Sequence, residues 1–427
     1  MFFISNLRKM DEEKKIFGLK IEKKYITLAV LVLFAVILIW GVYIRTQNLP
    51  LLKDSTTGNW LSSDIDPFYF LRIADTMLQG PLPEYDAMRY PALHSPWSVE
   101  LLPYVLVLMH KTFNMFGNYP IELISIIFPP VFFALILIAY FIFILILTKS
   151  KLIALISSAL LAFIPIFLYR TMAGVGDHEP LGTFFFFCAL AIYISALNFM
   201  NKLNTSNKQM FYSVLIAAAL GLTTFLSLLG WPGVGDYLIM IAPFSFALFW
   251  LIKFQKLQNN GIEKNDKREA IKLICFYTSW IIFTLIFFLI YGLTLSQSFD
   301  KFLLNTYGTF VWGILIFLLA DFMFILAGKR ELLRKFRKYL AIIIVVGLII
   351  LSLFTIFWTM TGGDLFSGLG SKMNKLLHPF QAERVGSTVA ENMQPYLADL
   401  ISQISGIFFW IFFLGCIIIG IEFGKGI

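Results

Sequence analysis

Charge is scarce in this sequence, with Asp, Glu, Lys and Arg together making up 14% of the 427 residues, against roughly 25% in an average soluble domain. That shortage excludes water as the main solvent of the fold. Cysteine is scarcer still. Cys188, Cys275 and Cys416 all fall inside apolar runs, where a thiol behaves as a small hydrophobe, so neither a disulfide framework nor a thiolate metal site is implied. No internal repeat of fixed period and no low-complexity linker is present, which removes solenoids and tethered arrays. What the chain has instead is hydrophobicity, 59% of residues, with 17% aromatic. Apolar runs recur from residue 25 to residue 423, and at about 20 residues each can cross a hydrocarbon core of about 30 Å as a helix.

The formal net charge of +8 raises the question of a nucleic-acid partner, and the placement of the basic residues answers it in favour of a membrane. Arg8, Lys9, Lys14, Lys15, Lys20, Lys23 and Lys24 precede the first span, Tyr25 to Val42, so the positive-inside rule puts residues 1–24 in the cytoplasm. That span is too long, and too free of a small-residue cleavage site, for a removable signal peptide. Alternation then gives spans at Ile121–Leu147, Leu152–Tyr169, Leu181–Met200, Phe211–Leu229, Tyr237–Leu251, Ile274–Leu293, Phe310–Leu326, Ala341–Thr359 and Ile404–Ile421, with the basic loops 253–272 and 329–338 inside. The stretch Trp97–Phe116 carries Glu100, Pro103, His110 and Lys111 and reads as an interfacial helix. Counting it as a span would put every later basic loop outside. The reading is therefore an all-α multi-pass membrane protein of about ten membrane helices, with outer loops at about 45–119 and about 362–400.

Three acidic sites share the outer face. Asp64-Ile65-Asp66-Pro67-Phe68-Tyr69-Phe70-Leu71-Arg72 follows the first span, Arg170 to Pro180 joins two helices and holds Asp177-His178-Glu179, and Thr388-Val389-Ala390-Glu391-Asn392 lies in the last long loop. Like charges a few ångströms apart repel strongly at low dielectric unless a cation or proton intervenes. Asp177 and Glu179 are two residues apart and can point at one hard divalent ion with oxygen ligands, Mg²⁺ or Mn²⁺ rather than zinc. His178 adds a nitrogen ligand or points away, and alternation in an extended segment favours the second. Taken singly, each signal has a plain alternative. Asp177 and Glu179 serve equally as a solvated helix cap, Asp66 before Pro67 as a turn opening a helix, and Glu391 as an exposed loop glutamate.

In order, these residues resemble the catalytic subunit of oligosaccharyltransferase, the enzyme of asparagine-linked glycosylation, and its archaeal members in particular. Asp66-Pro67-Phe68-Tyr69 with Arg72 is similar to the family's first-loop motif, and Asp86, Arg89, Tyr90 and Pro91 resemble the stretch that follows. Arg170 through Glu179 is similar to the second motif, Trp231 and Gly233 to the Trp-Gly turn, and Thr388 to Glu391 to the short motif ending in Glu. The resemblance runs from about residue 20 to the end and implies a lipid-dependent, GT-C type glycosyltransferase fold. It implies a Mn²⁺ or Mg²⁺ ion on Asp66, Asp177 and Glu179, with His178 as a further candidate, and Glu391 with Asp66 on the amide nitrogen of the acceptor. Arg170 and Arg89 become candidate contacts to the lipid phosphate. Arg384 is a candidate without a matching family position. The expected partners are a lipid-linked oligosaccharide on a polyprenyl-type phosphate or pyrophosphate, a polypeptide with Asn-x-Ser/Thr and membrane lipids, with no nucleic acid. The family's C-terminal soluble domain, with its Trp-Trp-Asp-Tyr-Gly motif, has no counterpart after Ile421, so the chain is a fragment of a longer enzyme, which is the simplest expectation, or a partner supplies that pocket, or the chain is inactive alone.

Two other readings compete. A membrane transferase that moves a single sugar from a lipid phosphate shares an outer-loop acid, but Asp-x-Glu combined with Thr-x-x-Glu argues against it. A transporter or flippase places ionisable groups near the bilayer midplane, whereas these carboxylates gather at one surface.

Overall fold

In the computed structural model the described residues are 15–16, 19–20, 23–86, 88, 93–94, 101–202, 207–255, 264–305, 307–329, 331–337, 339 and 397–424. The expected span Ala341–Thr359, most of the loop at 362–400, and the candidates Arg89, Arg384 and Glu391 lie outside them. The protein is built of helices. Among the described residues seven are long and apolar enough to cross a membrane.

Helix α1 (Lys23–Arg45) leads to α2 (Asp66–Gln79), then to a two-residue pairing of Tyr85–Asp86 with Leu93–His94, and to α3 (Leu101–Phe113). At about 1.5 Å per residue, thirteen residues fall well short of a hydrocarbon core. Helix α3 buries Leu102, Leu106 and Met109 against Phe70 and Ala74 of α2 and Ile121, Ile124 and Phe128 of the next helix. Helices α4 (Ile121–Thr148), α5 (Lys151–Phe163) and α6 (Pro165–Tyr169) follow. The sequence reading took Leu152–Tyr169 as one unbroken span. The structure breaks it at Ile164, whose extended backbone (ψ 127°) precedes Pro165, because a proline ring disfavours the helical region for the residue before it.

Helices α7 (Glu179–Lys202), α8 (Asn207–Gly230), α9 (Pro232–Lys253), α10 (Lys264–Ile290) and α12 (Gly308–Ala327) form the main bundle, with the short amphipathic α11 (Leu295–Phe302) between the last two. Their shared core holds Trp250, Trp280, Tyr277, Phe246 and Phe276. Polar tips that enter it are satisfied there, as a medium without water demands. Trp280 Nε1 donates to Thr224 Oγ1 (3.0 Å), and the Tyr193 and Tyr277 hydroxyls donate to the carbonyls of Ala242 and Val311 (2.9 Å each). Helix α10 begins ten residues before the expected span, and Lys272 is buried inside it with its ammonium 3.3 Å from the Met200 carbonyl near the end of α7. Here a cation meets the negative end of a helix. The last described elements, α13 (Leu397–Ile404) and α14 (Gly406–Gly424), meet at a bend of 99°, at Ser405 with φ +77°.

At the end of the bundle away from α2 and α3, Asp321 of α12 is fully buried and accepts from Arg337 Nε (2.8 Å) and Nη2 (2.7 Å) and from Trp250 Nε1 (2.7 Å). Removing one partner strands the other charge, at about 3–5 kcal/mol. Asp321→Ala should therefore lower the thermal unfolding midpoint in detergent well below that of the exposed control Arg334→Ala.

Candidate functional site

Two prolines inside α4 shape what lies above them. Pro129 and Pro130 carry no amide hydrogen, so the carbonyls four residues earlier, Ser125 and Ile126, are left without their helical donors. Into that gap runs the loop between α6 and α7. Gly174 N–H donates to the Ile126 carbonyl (3.0 Å), and the Gly174 carbonyl accepts from Ser63 N–H (3.1 Å). Gly174 has φ +86°, and a Cβ there would meet Leu52 at 2.8 Å. At Gly176 a Cβ would stand 2.9 Å from the Ser125 carbonyl. Both glycines of Gly174-Val175-Gly176 are thus there because the loop lies in direct backbone contact with its neighbours.

The loop delivers Asp177, His178 and Glu179 into one cavity of ≈ 470 Å³, lined also by Asp66, Ile166, Phe167, Arg170, Thr171, Pro180, Thr183 and Trp231. Asp66 arrives from the other side as the first residue of α2, with Pro67 directly after it in the first turn. Glu179 is the first residue of α7. Both carboxylates therefore sit at helix N-termini, where the helix dipole favours negative charge. Neither acid of the Asp-x-Glu pair is a solvated cap. Asp177 is 6% exposed, and the Glu179 side chain is 15% exposed and ion-paired with Arg170 Nη1 (3.0 Å).

The second oxygen of Glu179, Oε2, is buried with no hydrogen-bond partner. Leaving such an atom unsatisfied costs about 1–3 kcal/mol or more, and a cation or a water would relieve it. Burial works to raise the Asp177 carboxyl, yet the hydrogen bond and charge of His178, together with the more distant charge of Arg170, hold it below the usual carboxylate range. His178 Nδ1 lies 2.6 Å from Asp177 Oδ1, and its ring stands edge-on to Phe70 (5.9 Å) and near Trp231 (6.0 Å). Strand-like alternation is no guide to this residue, since the segment is a turn, and its ring faces the same cavity as the two acids. Oxygen donors with one imidazole suit a hard divalent cation, although among the described residues no three of these side chains close into a ready-made cation cage.

Other residues hold the site in place. Arg72, six residues along α2 from Asp66, makes a two-pronged pair with the buried Asp86 (2.9 and 2.8 Å) and so ties α2 to the segment that follows it. Trp231 packs on Gly182, where a Cβ would lie 2.4 Å from the Trp231 Cβ. Sequence reasoning missed Ile166, Phe167, Thr171 and Thr183 as lining residues. The signal available for the first three was the Pro165 break, which turns α6 over the cavity.

A bundle of helices long and apolar enough to cross a membrane, with acids gathered from separate helix ends into one terminal cavity, is the build of a multi-pass membrane protein. The chain belongs to the oligosaccharyl transferase STT3 family, whose N-terminal region matches residues 28–417. No curated protein matches it. Among solved structures, it is similar to the archaeal oligosaccharyltransferase AglB from Archaeoglobus fulgidus in complex with an inhibitory peptide and a dolichol-phosphate. That likeness has TM-score 0.58 and 19% identity, covering 91% of this chain and 44% of that one. The same organism's enzyme complexed with zinc and sulfate gives TM-score 0.52 and 18% identity over 87% of this chain and 48% of that one. Tethered to an acceptor peptide with the NVT sequon, it gives 0.53 and 19% over 91% and 43%. The chain thus spans less than half the length of these relatives.

One consequence of the packing can be measured directly. Gly182→Ala should push Trp231 and the α8–α9 turn off α7 and lower the unfolding midpoint, whereas Gly313→Ala, in a helix with no atom within 4 Å of the new Cβ, should leave it unchanged or raise it.

Proposed function

We propose that this chain is the membrane part of an archaeal-type enzyme that transfers an oligosaccharide from a polyprenyl (dolichyl-type) phosphate or pyrophosphate to the side-chain amide of Asn in Asn-x-Ser/Thr. The observation that carries the reading is the convergence of Asp66, Asp177 and Glu179, with Arg170, on one cavity at the end of the bundle. The relatives support it, since their structures hold a dolichol-phosphate and a sequon peptide.

In this reading Asp66, Asp177 and Glu179, with His178 as a further donor, hold Mn²⁺ or Mg²⁺. A divalent cation supplies Lewis-acid neutralisation of charge on a departing lipid phosphate. The chain's own residues do the rest. Arg170 moves between Glu179 and the phosphate as a charge-assisted donor, for which a guanidinium fork is suited. A carboxamide nitrogen is a poor nucleophile because its lone pair is delocalised. Glu391, with Asp66 opposite, accepts the amide hydrogens of the acceptor and holds the nitrogen toward the sugar. Glu391 and the candidate phosphate contacts Arg384 and Arg89 belong to segments outside the described residues and enter as proposals, Glu391 and Arg89 on their motif positions and Arg384 on its charge alone. Trp231 and Phe167 wall the cavity against water.

Transfer to a fluorescent Asn-x-Thr peptide in source membranes tests the chemistry. Asp66→Asn, Asp177→Asn and Glu391→Gln, each in the full-length gene product, should lower the rate by two orders of magnitude or more (roughly 10²–10³, as for loss of an electrostatic catalytic group), and removal of divalent cations should do the same. Rates that ignore all three carboxylates would reject the reading.

We place the cavity on the outer face of the cell membrane and residues 1–24 in the cytoplasm, on the distribution of Lys and Arg. The chain contains a single Asn-x-Ser/Thr, Asn204-Thr205-Ser206, in the short basic connection between α7 and α8, which this topology keeps inside. Asp54→Asn creates a second sequon in an exposed turn after α1, on the outer side. Expressed in a host that glycosylates Asn, the parent should show no glycan and Asp54→Asn should gain one. Modification of Asn204 would invert the topology.

A further inference from the structure

Arg45 is the last residue of α1 and is 0% exposed. A guanidinium buried at a membrane boundary is expensive and ordinarily sits against an acid. Among the described residues no carboxylate is paired with this one. Its donors go elsewhere. Nε donates to Thr171 Oγ1 (2.6 Å), Nη1 to the Gly41 carbonyl (3.1 Å) and Nη2 to the Ala162 carbonyl (2.9 Å). The guanidinium lies 3.5 Å from the centroid of Phe133 and 5.7 Å from that of Phe167, so its charge is met by ring faces rather than by an acid. Phe133 can approach only because position 41 is glycine, where a Cβ would stand 2.5 Å from the ring. Arg45 does not line the acidic cavity, but Thr171 and Phe167 do.

The contacts of Arg45 reach three segments at once: its own helix, the end of α5 and the start of the acidic loop. Thr171 relays the contact, accepting from Arg45 and donating to the Phe167 carbonyl (2.5 Å). Ala173, two residues further along the loop, is fastened at the same place. Ala173 N–H donates to the Arg45 carbonyl (2.9 Å), and Asn48 Nδ2 donates to the Ala173 carbonyl (2.7 Å). The three acceptors are served by three different nitrogens held in one planar fork, a spacing that the single nitrogen of an ammonium on a flexible stem does not reproduce.

We propose that Arg45 is a positioning residue for the cation site. Through Thr171 it sets the height and direction at which the loop presents Asp177 and Glu179, and its charge is retained for that fork geometry rather than for contact with substrate. The proposal rests on the reading of Asp177 and Glu179 as divalent-cation ligands.

Binding of Mn²⁺ alone, followed by electron paramagnetic resonance on the purified full chain in detergent, separates the two claims without requiring transfer activity. Thr171→Val removes the hydroxyl at constant shape, and Thr171→Ser keeps it. Supporting residues of metal sites are worth about 10–100-fold in affinity. Thr171→Val and Arg45→Lys should each weaken Mn²⁺ by about tenfold or more at an unchanged number of sites, and Thr171→Ser should bind within about twofold of the parent. The double variant Arg45→Lys with Thr171→Val should be no weaker than the worse single one, since both break the same contact. If Arg45→Lys does not fold, the Thr171 pair decides. Thr171→Val binding as tightly as the parent, while Asp177→Asn loses Mn²⁺, would overturn the positioning role and leave the cation site standing. Asp177→Asn binding Mn²⁺ as tightly as the parent would remove the cation site and the inference with it.

Discussion

A stretch of irregular backbone at a membrane boundary has to find partners for every amide and carbonyl it carries, because the hydrocarbon beneath it offers none. Residues 171–178 are such a stretch, and the packing around them answers that demand. The end of α1 takes Ala173, the carbonyl freed by Pro130 takes Gly174, and Ser63 from the loop before α2 closes on the other edge. Each partner belongs to a different part of the chain, so the loop is also what draws α1, α4 and the start of α2 together. The acids ride on this frame. Once 171–176 is fixed, the start of α7 is fixed, and Glu179 comes to lie beside Arg170 facing Asp66.

The rest of the bundle is built to leave that frame undisturbed. Phe70, Ala74, Leu106, Phe128 and Leu181 form one small core that joins α2, α3, α4 and the first turn of α7, so Asp66 and Glu179 are carried on helices that pack through a common set of side chains. The larger core among α7, α8, α9, α10 and α12 holds the far half of α7. Helix α7 thus belongs to both cores and transmits the rigidity of the second to the site at its N-terminus, a placement that suits preorganised charge.

Much of this was legible in the sequence, because hydrocarbon imposes simple rules. Span length, the sidedness of Lys and Arg, and the isolation of acids in loops give the helices and bring Asp66, Asp177 and Glu179 to one end. What was not legible depends on partners distant in sequence. Arg45 reads as the first residue of an outer loop, since hydropathy prices a guanidinium as exposed. Thr171, Ala162 and Phe133, brought in from three other segments, join the Gly41 carbonyl of its own helix in making its burial tolerable. His178 is a different case, since the segment that carries it is irregular rather than extended and its ring lines the cavity with the two acids. The Pro165 break was visible as a residue type, but its outcome was not: α6 lines the cavity through Ile166 and Phe167 and touches α13, far along the chain.

The account stands or falls on whether the three carboxylates act as one cation site. Anomalous diffraction or a high-resolution cryo-electron density of the chain with Mn²⁺ tests this most directly. The account predicts one metal peak inside the cavity, bonded to Asp177 and Glu179 and reached by Asp66, with Glu179 Oε2 no longer unpartnered. A cavity that stays free of metal at saturating Mn²⁺, or a peak held by other residues, would contradict it.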